Sequence, residues 1–155
     1  MIRPAVAADV PVLMELVHEL AVYEREPEAV AASEADLHRG LFIDGTCSAH
    51  VAQDGGHVVG FALWYPTFST WTGRPGLWLE DLFVRESSRG QGFGRALLHA
   101  LAAVCLERGW SRFEWWVLDW NSPAIGFYTG LGAVPQDAWT TFRVDGDALR
   151  ALGGR

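Results

Sequence analysis

The segment Leu79–Leu101, LEDLFVRESSRGQGFGRALLHAL, places a glycine-rich turn between a strand-like run and a helix-like run. Gly90, Gly92 and Gly94 occupy every second position, and Arg89 and Arg95 lie on either side of them. Backbone N–H groups in such a turn, together with the N-terminus of the helix that follows, attract anions, and arginines add further donors. The turn therefore predicts a phosphate site, although a flexible connector that merely starts a helix is the plainer interpretation.

The spacing of the glycines narrows the kind of phosphate ligand. It does not match the G-x-G-x-x-G pattern of dinucleotide-binding folds, and the chain lacks the G-x-x-x-x-G-K-[ST] pattern of nucleoside triphosphate loops. A strand, the glycine turn, a helix and a further strand follow one another, which predicts a βαβ unit with parallel strands.

The rest of the chain predicts a mixed α/β domain in the order β-α-α-β-β-β-α-β-α-β, with antiparallel strands before the βαβ unit. Alternating apolar and aromatic runs predict the strands, and apolar residues at helical spacing predict the helices. The predicted strands are 2–5, 48–53, 57–66, 77–84, 112–120 and 139–145. The predicted helices begin after Asp9, after Ser33, after the glycine turn and after Ser122, and they end near Glu24, Leu37, Gly109 and Gly132.

Composition limits the functional class. The 155 residues carry a formal net charge of −7, which argues against nucleic-acid binding and is compatible with a cationic substrate. Cys47 and Cys105 show no metal-ligand spacing, so we expect free thiols and no metal site. The sequence shows neither a signal peptide nor a membrane span, so we expect a cytoplasmic protein. The eight tryptophans indicate core packing, a dimer face or an aromatic substrate pocket.

The glycine turn carries a family resemblance. RGQGFG, with Arg89 as the leading residue, matches the [QR]-x-x-G-x-[GA] pyrophosphate turn of the GNAT superfamily of N-acetyltransferases. The resemblance implies acetyl-CoA as the co-substrate, with its pyrophosphate on the turn. The residues that it assigns to the cofactor there are Arg89, Gly90, Gln91, Gly92, Phe93, Gly94 and Arg95.

Other segments extend the likeness along nearly the whole chain. LWLEDLFV, VLDWNSPAIGFYTGLGA and IRPAVAADV…ELAVYE resemble the branch that contains the diamine (spermidine/spermine) and thialysine N-acetyltransferases. The resemblance implies one GNAT domain over residues 1–155, with a central mixed sheet and helices on both faces. It also implies a homodimer and transfer of acetyl to the primary amine of a small cationic substrate, by direct attack in a ternary complex.

The resemblance also implies roles for residues near the reaction. Glu80 takes the proton of the amine through water, Asp81 adds negative charge, and Tyr128 gives a proton to the CoA sulfur. Solvated charges and a packing tyrosine are the plainer interpretations of these side chains. The backbone of Leu82, Phe83 and Val84, on a strand that bulges in the family, binds pantetheine and polarises the acetyl carbonyl. Further cofactor contacts are expected at Asn121, Ser122, Pro123 and Ala124.

A second set of residues resembles the amine site, although packing would explain the aromatic members equally well. The set comprises Tyr23, Glu24, Trp71, Glu80, Asp81, Glu114, Trp115, Trp116 and Asp137, and Asp137 could come from a partner subunit. Two departures from the family stand out. Ser69-Thr70 replace an acid that precedes the loop tryptophan in polyamine enzymes, which favours a shorter amine. Thr129 and Leu131 stand where relatives often carry a cation for the CoA 3′-phosphate.

Two other functions remain open from the sequence. One is a non-catalytic GNAT-fold sensor that binds acyl-CoA or an amine, and the other is a protein N-acetyltransferase. The intact set of Glu80, Asn121 and Tyr128 argues against the sensor. The acidic charge and the bulky Trp71 loop favour a small substrate over a protein.

Overall fold

One mixed sheet organises the first part of the chain. Within residues 1–154, which the computed structural model describes, its strands are β1 (Ile2–Pro4), β2 (Ser48–Asp54), β3 (His57–Ser69), β4 (Arg74–Val84) and β5 (Phe113–Trp115), and they adjoin in chain order. The neighbours from β1 to β4 are antiparallel. β5 is parallel to β4 and pairs with it from Leu77 to Leu79. The predicted antiparallel strands and the mixed sheet are therefore confirmed.

Helix α1 (Val10–Tyr23) packs on one face of this sheet. Pro11 lies in its first turn, and Leu13, Leu16 and Leu20 recur at helical spacing on the buried side. They share one apolar cluster with strand residues that include Val51, Phe61 and Phe83. Full burial of each large apolar side chain contributes about 1.5–3 kcal/mol, so this cluster fixes the position of α1 on the sheet.

A short helix, α2 (Glu34–His38), follows α1 and starts where the sequence predicts. The Ser33 hydroxyl accepts the N–H of Asp36, and the Asp36 carboxylate accepts the N–H of Ser33. This reciprocal cap satisfies backbone donors that a helix N-terminus otherwise leaves unpaired. A π-helical turn, Arg39–Ile43, continues the chain toward β2.

Helix α3 (Phe93–Glu107) lies against the other face of the sheet. Its buried side chains are Leu97, Leu98, Leu101 and Cys105. At its C-terminus the Arg108 guanidinium lies 5.3 Å from the ring centroid of Trp64. Trp64 adjoins Leu63 of the α1 cluster, and successive strand side chains point to opposite faces. The prediction of helices on both faces is therefore confirmed, and β4, α3 and β5 form the predicted βαβ unit.

The chain divides into two compact units, Met1–Leu118 and Asp119–Arg155. In the described part of the second unit, residues 119–154, the helices are α4 (Ser122–Gly130) and α5 (Gly146–Leu152). The prediction of a single domain over residues 1–155 remains a prediction.

Two strand predictions need correction. The predicted strand 112–120 shortens to β5, and the predicted strand 139–145 is not a strand; α5, which was not predicted, follows it. Aromatic and β-branched residues such as Trp139, Thr140 and Val144 fit a strand only where a neighbouring strand supplies hydrogen bonds. Within residues 1–154, no strand pairs with residues 139–145.

No helix within residues 1–154 has the length and apolar character needed to cross a membrane. Cys47 and Cys105 are both free thiols, as predicted.

Candidate functional site

A β-bulge in β4 sets the direction of the acidic residues. Leu63 of β3 pairs with Asp81, and the next residue, Trp64, pairs with Leu79, so Glu80 is the extra residue between two paired positions. Regular strands alternate their side chains, and a bulge breaks the alternation and bends the strand locally. The bulge that the family resemblance implies in this strand is therefore present, and it lies at Glu80.

Two neutral donors hold the carboxylate of Glu80. The Tyr65 hydroxyl and the Trp78 indole N–H each donate to Oε2 at 3.1 Å. Trp78 is two residues before Glu80 on β4, and Tyr65 of β3 is paired with Trp78. Burial, followed by the charge of Glu80 and their hydrogen bond, raises the pKa of Tyr65 to about 12. Tyr65 therefore stays protonated and keeps donating throughout the neutral and mildly alkaline range.

Asp81 and Glu24 form the second acidic feature of the site. Burial, then the negative charge of Glu80 and then that of Glu24, together raise the pKa of Asp81 to about 7. Burial also raises the pKa of Glu24, which follows the last residue of α1. Helix α1 contacts β4, and Tyr23, which precedes Glu24, lies against the same Arg89 guanidinium as Phe83 of β4. A bound cation would stabilise these charges, because opposite charges favour the ionised form.

The glycine turn follows β4 and leads into α3 as the sequence predicts. Gly90 and Gly92 have φ of 77° and 85°, a region that glycine adopts without steric cost. Gly92 is the N-cap of α3, so the N–H groups of Phe93, Gly94 and Arg95 belong to the first turn, where helices lack internal acceptors. The exposed side chains of Arg89 and Arg95 add positive charge. This donor set fits a diphosphate.

Arg89 is held by the residues around the turn. Its Nε–H donates to the carbonyl of Val84 at 2.9 Å. Its guanidinium carbon lies 4.9 Å from the centroid of the Tyr23 ring and 5.5 Å from that of Phe83. The structure thus brings together Tyr23, Phe83, Val84 and Arg89, although the family resemblance implies an amine contact for Tyr23 and cofactor contacts for the others.

The edge of β4 after Leu79 is open on one side. Within residues 1–154, β5 pairs with β4 only from Leu77 to Leu79, so Leu82, Phe83 and Val84 have a strand neighbour on the β3 side alone. An unpaired strand edge presents backbone N–H and C=O groups to a ligand. This geometry suits the backbone contacts that the resemblance implies for these three residues.

The remaining residues of the amine set in the first unit are scattered. Trp116 stacks edge-on against Trp78, a hydrogen-bond donor to Glu80, with 5.0 Å between ring centroids. Glu114 and Trp115 belong to β5. Trp71 is 80% exposed at the β3–β4 turn. Six residues of extended strand between Arg74 and Glu80 span about 20 Å, so Trp71 and Glu80 are not brought together along β4.

The other predicted residues lie in the second unit, which is described by itself. Asn121, rather than the predicted Ser122, is the N-cap of α4, and its Oδ1 accepts the N–H of Ala124 at 3.4 Å. Ser122 and Pro123 open the helix, and Tyr128 lies on it with its ring centroid 5.5 Å from that of Phe127. The Thr129 hydroxyl donates to the Ile125 carbonyl at 2.8 Å. Leu131 is the C-cap, and Asp137 lies in the segment between α4 and α5.

Sequence reasoning missed Tyr65 and Trp78. Trp78 stands two residues before Glu80, which is the spacing of side chains on one strand face. The sequence pattern could therefore have predicted that these two side chains lie close together. Tyr65 could be found only from the pairing of β3 with β4.

Comparison with known proteins agrees with this geometry. Residues 13–133 match the model of the acetyltransferase (GNAT) family. A thialysine N-epsilon-acetyltransferase of Mus musculus is 37% identical, with 99% of this chain and 97% of that protein covered. An L-ornithine N5-acetyltransferase of Arabidopsis thaliana is 30% identical over 97% of this chain and 86% of its own length.

A solved structure is similar as well. It is an integron cassette protein from the mobile metagenome of V. cholerae, 26% identical, with a TM-score of 0.83 over 100% of this chain and 98% of its own. The family match covers most of the chain, and the curated relatives are similar over nearly its whole length. This chain therefore belongs to the GNAT family and is an N-acetyltransferase.

Proposed function

We propose that this N-acetyltransferase transfers the acetyl group of acetyl-CoA to the primary amine of a small cationic molecule, by direct attack in a ternary complex. One observation carries the proposal: a single strand, β4, joins the acidic residues Glu80 and Asp81 to the diphosphate-fitting turn that follows Val84. An amine attracted by Glu80 and Asp81 and a thioester anchored at the turn would then lie at the two ends of the open edge of β4.

The residues that would hold acetyl-CoA follow from the donor set. Gly90, Gly92 and the first turn of α3 would bind the diphosphate with backbone N–H groups, and Arg89 and Arg95 would add charge. The open edge at Leu82–Val84 would bind the pantetheine arm and donate to the acetyl carbonyl, where negative charge develops during attack. Asn121, Ser122, Pro123 and Ala124 complete the proposed contacts. Bound acetyl-CoA supplies an activated acyl group, and the proposed chemistry uses no metal.

The acids would select and deprotonate the amine. An alkylammonium group has a pKa of about 10.4, so it must lose a proton before it can attack. The exposed Glu80 carboxylate is suited to accept that proton through water and return it to solvent, because Tyr65 and Trp78 hold it in one position. Asp81 and Glu24 would stabilise the cationic substrate.

The leaving thiolate requires a proton or an equivalent donor. We assign this role to the Tyr128 hydroxyl, on the basis of the resemblance of NSPAIGFYTGLG to the family segment and of its location on α4 behind the Asn121 cap. A Tyr128→Phe variant should lose most of its kcat while it keeps the wild-type Kd for acetyl-CoA. An unchanged kcat would remove Tyr128 from the mechanism.

The substrate class is proposed from charge and from the relatives. The candidate amines are thialysine, lysine and ornithine, which combine a side-chain amine with an amino acid, and diamines or polyamines. Because Ser69-Thr70 stand where polyamine enzymes carry an acid, the β3–β4 turn has one negative charge fewer than in those enzymes. This difference favours the shorter amines. Trp71, Glu114, Trp115 and Asp137 remain proposed amine contacts.

We also propose that the chain acts as a homodimer. The support is the family resemblance together with the exposed aromatic side chains Trp139 and Phe142, which are 71% and 91% accessible. Exposed aromatic surface is enriched where proteins associate.

The first test is thiol release from acetyl-CoA across thialysine, lysine, ornithine, putrescine, spermidine and spermine. A blank without amine corrects for Cys47 and Cys105, and Glu80→Gln serves as the matched variant. Turnover of one amine, reduced about 100-fold or more by Glu80→Gln, would support the proposal. CoA binding without turnover of any amine would favour the sensor or the protein N-acetyltransferase instead.

A further inference from the structure

The end of α1 reaches two parts of the candidate site through neighbouring residues. Tyr23, the last residue of α1, lies against the Arg89 guanidinium, whose carbon is 4.9 Å from the ring centroid. Glu24 follows immediately and acts electrostatically on Asp81. One helix end is thus linked both to the first residue of the glycine turn and to the acids of β4.

The conformation of this helix end is fixed by its own hydrogen bonds. The N–H of Glu26 donates to the carbonyl of Ala21 at 2.9 Å, and the N–H of Arg25 donates to that of Val22 at 3.1 Å. This pair is the Schellman pattern, which needs a left-handed residue after the helix. Arg25 takes that place with φ of 66°, where glycine is usual. Tyr23 and Glu24 are therefore presented by a closed turn rather than by a fraying end.

The Arg89 side chain is oriented by three independent contacts. The Val84 carbonyl accepts its Nε–H at 2.9 Å, Tyr23 lies against the guanidinium, and the Phe83 centroid is 5.5 Å away. A cation near an aromatic face is attracted by the ring quadrupole, and a cation close to a helix C-terminus is attracted by the helix dipole. A guanidinium has four N–H donors besides Nε–H, so Arg89 can present a fixed fork of donors to an anion.

We propose that Tyr23 is a positioning residue for the cofactor: its ring holds Arg89 in the orientation in which the guanidinium binds the diphosphate of acetyl-CoA. This proposal rests on the proposed function, since it requires acetyl-CoA as the ligand of the turn. It gives Tyr23 a role different from the amine contact that the family resemblance implies. A diphosphate bound by Arg89 would in turn hold the end of α1, and with it Glu24, in place.

The test compares two thioesters, acetyl-CoA and acetylpantetheine, which share the reacting arm and differ in the diphosphate and nucleotide. In Tyr23→Leu, kcat/KM for acetyl-CoA should fall about three- to tenfold, mostly through KM, whereas kcat/KM for acetylpantetheine should change less than about twofold. Tyr23→Phe, which keeps the aromatic face, should recover most of the loss. Val22→Ala changes the neighbouring exposed residue of α1 and serves as the matched control, with wild-type values expected.

Arg89→Met supplies the decisive background, because it keeps the aliphatic stem and removes the guanidinium. In that background Tyr23→Leu should have no further effect on acetyl-CoA. An equal loss with both thioesters, or a full loss that persists without Arg89, would overturn the proposal. The Kd of CoA, measured by calorimetry in the same variants, needs no turnover. Inactivity of the wild type toward every amine would contradict the proposed function, whereas an unchanged CoA Kd in Tyr23→Leu would contradict the role of Tyr23.

Discussion

Tyr65 and Trp78 determine how the most important carboxylate of the site is presented. Both donate to Oε2 of Glu80 at 3.1 Å, and both are fixed by the pairing of β3 with β4. A glutamate on an exposed bulge would otherwise sample several rotamers, and ordering it costs side-chain entropy. The two donors therefore reduce the cost of placing Glu80 beside an amine.

We predict that Tyr65→Phe lowers kcat/KM for the amine at least about tenfold, because a hydrogen bond to a charged group contributes about 1.5–3 kcal/mol. Trp78→Phe should act similarly, since it removes the second donor to the same oxygen. In a Glu80→Gln background, Tyr65→Phe should cause little additional loss. Steady-state kinetics at saturating acetyl-CoA would test this, and an equal effect of Tyr65→Phe with and without Glu80 would show that the hydroxyl acts elsewhere.

Asp81 differs from Glu80, whose carboxylate is stabilised by two donors, because the ionised form of Asp81 destabilises the folded protein. Burial, followed by the charges of Glu80 and Glu24, raises its pKa from 3.8 to about 7, which corresponds to a cost of at most about 4 kcal/mol for the ionised form. A group whose pKa is raised on folding contributes stability that is complete below its unfolded pKa and is lost as the pH rises through the folded value. The wild type should therefore lose stability between about pH 4 and pH 7.

Asp81→Asn should remove this dependence. We predict that its free energy of unfolding exceeds that of the wild type above pH 7, and that the difference shrinks toward pH 4. The same variant should bind the cationic amine more weakly, because it lacks the charge. Urea denaturation at pH 5, 6, 7 and 8 measures the first effect, and parallel wild-type and variant curves would contradict it.

At the scale of elements, the contact between β3 and β4 depends on a glycine. A Cβ on Gly60 would lie 2.7 Å from the Phe83 carbonyl oxygen and 2.9 Å from Cγ2 of Val84. Gly60 is paired with Val84, so the two strands approach closely where β4 presents its open edge to the proposed cofactor. A side chain at Gly60 would have to displace the backbone of β4 at Phe83, and not merely the end of a flexible side chain.

We predict that Gly60→Ala destabilises the protein by about 1–3 kcal/mol, because overpacking against backbone forces the strands apart. Gly126→Ala is the matched control: Gly126 lies inside α4, and a Cβ there meets nothing within 4 Å. Since glycine in a helix is less stable than alanine by about 0.5–1 kcal/mol, this second change should stabilise. Thermal unfolding of the pair would show Tm shifts of opposite sign, and shifts of the same sign would contradict the steric argument.

Sequence patterns predicted the elements that their own residues determine. The apolar spacing of Val10, Leu13 and Leu20 marks α1, and the Gly92 turn marks the start of α3, because helical periodicity and glycine conformations are local properties. Features that depend on strand pairing could not be predicted from local patterns. The bulge at Glu80 is a property of the register between β3 and β4, and the family resemblance alone implied a bulge in this strand. Tyr65 contacts Glu80 from fifteen residues away. Segment 139–145 has strand composition without a partner strand within residues 1–154.

At the scale of the whole molecule, the chemistry requires opposite fields in different places. The chain has a formal net charge of −7, yet the proposed cofactor turn needs positive charge for a diphosphate and the proposed amine site needs negative charge for a cation. Arg89 and Arg95 give the turn a local positive charge, whereas Glu80 and Asp81 on β4 and Glu24 at the end of α1 are negatively charged. The overall negative field favours approach of a cationic amine and disfavours that of an anionic cofactor.

We therefore predict different salt dependences for the two substrates. As ionic strength rises from 0.01 M to 0.15 M, the Debye length falls from about 30 Å to about 8 Å, so distant charges cease to act on an approaching molecule. At saturating acetyl-CoA, kcat/KM for a diamine should fall about three- to tenfold over this range, and less for an amine of single positive charge. At saturating amine, kcat/KM for acetyl-CoA should fall less or even rise, because repulsion by the net negative charge is screened together with the attraction of the turn. Equal salt dependence for mono- and dicationic amines would mean that only the local carboxylates, and not the field of the whole molecule, attract the substrate.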